Sequence, residues 1–349
     1  MVKNSKLVIL AFGLCTFLSC SDDNESFAGK AVVFSSTTQK TGTRTSYASG
    51  TGDAEWVINW TAGDKILIHC DECKERHSAV YNIETGGTAQ SEIKPNGSQL
   101  YWNDDASVNH VFTAAYPAGK ATDLDRDRFK FPIPFSQGDL DMSNAYMVAR
   151  NSGIKSSEAH AGTVLLTFNS IMTTFEVKLR GIKTDDSDAS TRYVKSVEFS
   201  CNMPVNSDGT TFTYNSATGN AEGTQTHQTI TWTPSTPVEM RGSMDKEHES
   251  TLTFTVLLPF TVISNSNPLE ITINTEDKDE TPFTYVSSLR PTNAIEGGEK
   301  KKLIMDNFYT VHNSADDHLT LNPTILSADM AMKLFDTNLH QDGDWQKEH

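Results

Sequence analysis

From about residue 30 onward, apolar and polar positions alternate in short runs: KAVVFSS, WVINWTAGDKILIHC, SAVYNIE, VFTAAYP, GTVLLTFN, TTFEVKLRGI, RYVKSVEFSC, TLTFTVLLPF, LEITINTE and PFTYVSSL. Each is rich in Val, Ile, Thr, Phe and Tyr and is bounded by Gly, Asn, Asp or Pro, which predicts strands joined by tight turns. A period of two assigns faces. Val32 and Phe34 oppose Ala31, Val33 and Ser35, while Ile66, Ile68 and Cys70 point to one side of a strand Lys65 to Cys70. Trp60 followed by Gly63 and Asp64 marks the turn before that strand. The pattern predicts an all-β protein of antiparallel β-sandwiches.

No segment of helical period precedes residue 320. The exception is LSADMAMKLFDTNLHQ, where Leu326, Met330, Leu334 and Phe335 share a face and Ser327 can cap the N-terminus, predicting a short amphipathic C-terminal helix. The length exceeds one sandwich, so two are expected. The polar stretch GIKTDDSDASTRY, residues 181 to 193, is the best break. The expected division is 45–182 for an N-terminal sandwich, 190–306 for a C-terminal one and 307–349 for an extension.

The start of the chain is of another kind. Lys3 and Lys6 precede the apolar run LVILAFGLCTFL, which is too short to span a bilayer and reads as a secretory signal peptide over residues 1–19. FLSC resembles a bacterial lipoprotein lipobox, which makes Cys20 the expected lipidation site and the first residue of the mature chain. Asp22, Asp23 and Glu25 behind it resemble a surface-export signal of Gram-negative lipoproteins. Loss of residues 1–19 removes two lysines and no acid, so the formal charge moves from −16 to −18. Such a surface repels phosphate backbones and argues against nucleic-acid binding.

HCDECKERH, residues 69–77, raises the question of a metal: His69, Cys70, Cys73 and His77 lie close together. A structural zinc commonly takes two C-x2-C pairs, and here there is one. The stretch reads instead as a hairpin turn with Cys70 in the core, Asp71 to Arg76 in the turn and His77 opening the next strand. Cys70 and Cys73 either form a local disulfide or stay as thiols, and Cys201 is left as a buried thiol. No G-x-S-x-G, H-E-x-x-H or phosphate-binding glycine loop occurs, and no catalytic residue, cofactor or metal site is expected.

The order TRT (43–45), WTAGDKILI (60–68), FTAAYP (112–117), FPIPFSQ (131–137), DLDMSNAYMVA (139–149) and VLLTFNSIMTTFEVKL (164–179) resembles the fimbrillin family of Mfa-like pilus subunits and adhesins. FTYNSATGNAEG, FTVLLPF and AIEGGEKKKLIM match its later part more loosely, and Asn169 and Ser170 depart from the family's usual Phe-x-His pattern after Phe168. The two prolines of FPIPF exclude a central strand and favour an edge or crossing segment.

The resemblance implies two transthyretin-like sandwich domains, export as an outer-membrane lipoprotein and assembly with other subunits by donor-strand addition. It makes Arg44 the expected protease site, whose cleavage would release residues 20–44 and the strand KAVVFSS. A strand of another subunit would then enter the vacated groove. DNFYTVHN and DHLTLNPTIL could serve as donors, although the chain runs on past both, as suits a tip, anchor or stand-alone adhesin. In that alternative the protein binds host glycan or protein by itself, with Trp102 or Trp232 as contact residues if they are exposed.

Overall fold

The computed structural model describes residues 27–38, 59–138, 142–158, 162–180, 182–183, 191–241, 250–305, 308–309, 319–321 and 324–326. Its strands in chain order begin with β1 (Phe34–Thr38), β2 (Lys65–His69), β3 (Ser78–Ile83), β4 (Gln90–Pro95) and β5 (Asn109–Tyr116). Next come β6 (Thr122–Asp125), β7 (Arg128–Pro132), β8 (Ser136–Gln137), a 3-10 turn (Met142–Asn144), β9 (Met147–Lys155) and β10 (Val164–Ser170). β11 (Met172–Arg180), β12 (Ile182–Lys183), β13 (Thr191–Val205), β14 (Thr211–Asn215), β15 (Asn220–Glu222) and β16 (Thr224–Trp232) follow. The run ends with β17 (Val238–Arg241), β18 (Thr251–Pro259), β19 (Leu269–Glu276), β20 (Pro282–Leu289), β21 (Lys300–Met305), β22 (Phe308–Tyr309), β23 (Leu319–Leu321) and β24 (Thr324–Leu326).

The all-β expectation holds, with a difference in the first half. Strands expected to stack as an antiparallel sandwich close into a seven-stranded barrel in the order β1-β10-β9-β5-β2-β3-β4. Closure comes from β1, which runs parallel to β10 and antiparallel to β4, and so covers both edges that a sandwich would leave open. The parallel pairing joins residues about 130 apart in sequence, beyond the reach of local alternation.

The run Val164 to Leu179 looks continuous in sequence but divides at Ile171. β10 belongs to the barrel, whereas β11 pairs with β18 and β21 in a four-stranded sheet, order β18-β11-β21-β24. The fully buried Ile171 donates its amide to the carbonyl of Tyr146 at 3.0 Å, and this fixes the crossover. A larger sheet, order β23-β20-β19-β13-β16-β8 with β17 beside β13, carries much of the second half, and β12 pairs with β22 in a two-stranded sheet.

A further connection comes from residues 117–146, which leave the barrel between β5 and β9 at the Tyr116–Met147 pair. Their hairpin β6–β7 joins β14 and β15 in a four-stranded sheet, and β8 adds to β16. FPIPF is the crossing segment expected from its prolines: Pro132 ends β7, Ile133 donates to the carbonyl of Thr210 at 2.8 Å, and Ser136 opens β8.

The buried apolar residues fall into two clusters. One fills the barrel with Trp60, Ile66, Ile68, Trp102, Phe112 and their neighbours; the other packs between the sheets of the second half. At the C-terminal end Leu326, the first position of the expected helix, is the last residue of β24. The rest of that segment, with Ser327, Met330, Leu334 and Phe335, lies outside the described residues.

Candidate functional site

The strand β1 is the site that the resemblance points to, and its alternation explains its place. Val32, Phe34, Ser36 and Thr38 are buried, while Val33 between them is 52% exposed. The ring of Phe34 stands edge-on to Tyr81 and Phe112, with centroids 5.1 and 5.3 Å away. Tyr81 is itself fixed, accepting the backbone N–H of Leu100 at its hydroxyl at 2.7 Å.

The other end of the slot is narrower in chemistry. The Ser36 hydroxyl donates to the carbonyl of Ser91 at 3.3 Å, and Thr38 pairs with Phe168, whose ring meets Trp60 at 5.1 Å. The segment ahead of β1 is held as well: Val32 donates to the carbonyl of Leu100 at 3.0 Å and Val164 to that of Val33 at 2.8 Å. The slot therefore accepts an aromatic side chain at one end and small hydroxyl side chains at the other. Sequence alternation gave the inward face; the partners Tyr81, Phe112 and Ser91 come from distant strands and left no local sign.

The stretch HCDECKERH forms the end of β2 and the turn that follows it. The Cys70 amide donates to the carbonyl of His77 at 2.7 Å, closing the turn, and β3 begins at Ser78. Cys70, Cys73 and Cys201 are all free thiols and all buried. Burial, with Cys73 and Glu72 beside it, pushes the Cys70 thiol far above its ordinary range, and burial raises Cys201 to about 12. Among the described residues no three His, Cys, Asp or Glu side chains are arranged to hold a metal ion.

His69 closes β2 with both ring nitrogens against carboxylates, Nδ1 at 2.5 Å from Asp123 and Nε2 at 2.9 Å from Asp71. Burial pulls its pKa down, but hydrogen bonds and charge from Asp123 and Asp71 outweigh that and leave it above the ordinary imidazole value. Next to it, Arg126 pairs with Glu72 at 3.2 Å and Arg150 with Asp127 at 3.2 Å.

The two tryptophans considered as ligand contacts are core residues. Trp102 packs edge-on to Phe112 and His110, and Trp232 stacks on Phe254 with centroids 3.9 Å apart. Neither presents a ring to solvent: Trp102 is fully buried and Trp232 nearly so. Cys20 and Arg44 both lie outside the described residues, Arg44 between β1 and Trp60.

Comparison with solved structures returns a cell adhesion protein from Bacteroides ovatus, 12% identical, with a TM-score of 0.51 over 86% of this chain and 97% of that one. A cell adhesion protein from Bacteroides uniformis is 17% identical over 85% of this chain and 97% of that one, with a TM-score of 0.47. A fimbrial protein from Bacteroides vulgatus is 11% identical over 85% and 99%, with a TM-score of 0.40. Among curated proteins none matches the chain. The profile of the Fimbrillin-like family matches residues 43–315, from the segment behind β1 to beyond β22, and the chain belongs to that family.

Proposed function

We propose that this protein is an outer-membrane surface component of the fimbrial and adhesion class, a structural subunit rather than an enzyme, that joins other subunits by exchanging β1 for a donor strand. In this reading Cys20 carries the lipid anchor, and proteolysis after Arg44 releases residues 20–44 with β1. The reading includes two transthyretin-like units and a short C-terminal helix; the two separate core clusters support the first of these.

The observation that carries the proposal is the double pairing of β1 with its buried side chains. Removal of the strand exposes the backbone edges of β4 and β10 and the apolar socket of Phe34. Burial of a Val or Phe side chain contributes about 1.5–3 kcal/mol, and an unpaired edge is a template for another strand. The vacated barrel therefore favours refilling by a segment whose alternate side chains match the slot.

A second reading, in which the protein ends a fimbrium or acts alone as a lipoprotein adhesin for host glycan or protein, draws on the tail. Leu319–Leu321 pairs parallel to β20 and Thr324–Leu326 antiparallel to β21, so part of DHLTLNPTIL is engaged within its own chain. The full chain treated with an Arg-specific protease separates the two. The first reading predicts one early cut after Arg44, seen by mass, followed by SDS-resistant ladders; an uncut or cut but monomeric product supports the second.

A further inference from the structure

Residues 117–146 carry strands that complete sheets of the second half, so whatever fastens this excursion to the barrel also fastens the two halves. His69 is such a fastening. It stands at the end of barrel strand β2, and its Nδ1 meets Asp123 of β6 while its Nε2 meets Asp71 of the adjoining turn. Carboxylates accept hydrogen bonds, so both contacts are satisfied together only when both ring nitrogens carry a proton.

On the barrel face of His69 the same register row carries Arg150 of β9, opposite Thr113, and Lys65 lies further back along β2. The pairing partners of His69 are Ser78 on β3 and Thr113 on β5. Thr113 donates its hydroxyl to the carbonyl of Arg126 at 2.7 Å, which places the β6–β7 turn over the same face. Further charges at the β6–β7 turn are Glu72, paired with Arg126, and Asp127, paired with Arg126 and Arg150. Among the side chains named at this junction His69 is the imidazole, the type that changes charge near neutral pH.

We propose that His69 is a pH-operated clamp: as an imidazolium it ties β6 to the barrel through Asp123 and Asp71, and on losing its proton it releases one of the two carboxylates and loosens the junction. Because its folded-state pKa is raised, the tie is complete below the ordinary imidazole value of 6.5 and is lost as pH rises through the folded-state value. His110, also a buried imidazole of the barrel, bonds to Asn103, Val108 and Ile154, all outside the excursion.

Hydrogen exchange of the full chain, corrected for intrinsic chemistry, tests this at about pH 6 and about pH 8.5, on either side of the imidazole range. Peptides covering residues 117–132 should exchange several-fold faster at the higher pH, while those of the β19–β20 hairpin stay level. His69→Gln should remove the difference, and Asp123→Asn, which keeps the shape, should reduce it. Equal protection of 117–132 at both pH values, or a difference that persists unchanged in both variants, would overturn the clamp.

Discussion

The carboxamide of Gln137 pairs with the backbone of Leu257 in both directions: Nε2 donates to the carbonyl at 2.6 Å, and the Leu257 amide donates to Oε1 at 3.0 Å. A side chain 120 residues away in sequence thus takes the place of a neighbouring strand at the free side of β18. All three groups are buried, and Nε2 also donates to the carbonyl of Pro134 at 3.1 Å, so Gln137→Ala removes the partner of one donor and two acceptors. The expected loss is about 2 kcal/mol or more, from roughly 1–3 kcal/mol for each unsatisfied buried group, read as a shift in the denaturant midpoint. Gln137→Glu should fare no better, because it loses the Nε2 donor.

The two faces of the β1 segment should respond in opposite ways. Phe34→Ala empties the socket between Tyr81 and Phe112 and should cost about 3–5 kcal/mol. Val33→Thr, at an exposed position one residue away, should stay within about 0.5 kcal/mol of the parent. Equilibrium unfolding of the two variants checks the pair.

Cys70, Cys73 and Cys201 should resist alkylation in the native protein. The thiolate is the nucleophile, and burial holds Cys201 at about 12 and Cys70 higher still. Mass spectrometry after iodoacetamide should show these three unmodified until denaturant is added. Labelling of any of them at the native rate of a free thiol would contradict the burial described.

His110 should make the barrel sensitive to acid. Burial holds its pKa below 6.5, opposed by hydrogen bonds to Ile154 and Val108. Its Nε2 accepts from the Asn103 amide at 3.3 Å, and so the neutral ring with a proton on Nδ1 is the form the fold uses. The unfolded chain takes up a proton first as pH falls, so this stability is present above the ordinary value and declines as pH falls below it. His69 contributes with the opposite sign. The thermal midpoint of His110→Gln should therefore fall less than that of the parent between about pH 7 and about pH 5.

Much of this was legible in the residues themselves. Alternation placed Val32 and Phe34 inward and Val33 outward, set Ile66, Ile68 and Cys70 in the core, and made FPIPF a crossing segment. What escaped was long-range pairing, which carries no local signal. Nothing in KAVVFSS says that it will lie parallel to β10, and nothing in VLLTFNSIMTTFEVKL marks Ile171 as the point where the chain changes sheets. Asp123 likewise reads as one acid among many until β6 brings it to His69.

The account depends most on β1 being exchangeable. A chain carrying a site-specific protease sequence at residues 45–50 can be cut independently of Arg44 and offered a tagged peptide of residues 30–40. Intact mass under native conditions then shows whether the released segment has been replaced. The account predicts one peptide bound per chain, loss of the N-terminal fragment that carries β1, and at least tenfold weaker uptake of the peptide with Phe34→Ala, in line with a lost aromatic side chain. A cut chain that keeps its own segment, or an empty barrel that takes the two peptides equally, would contradict it.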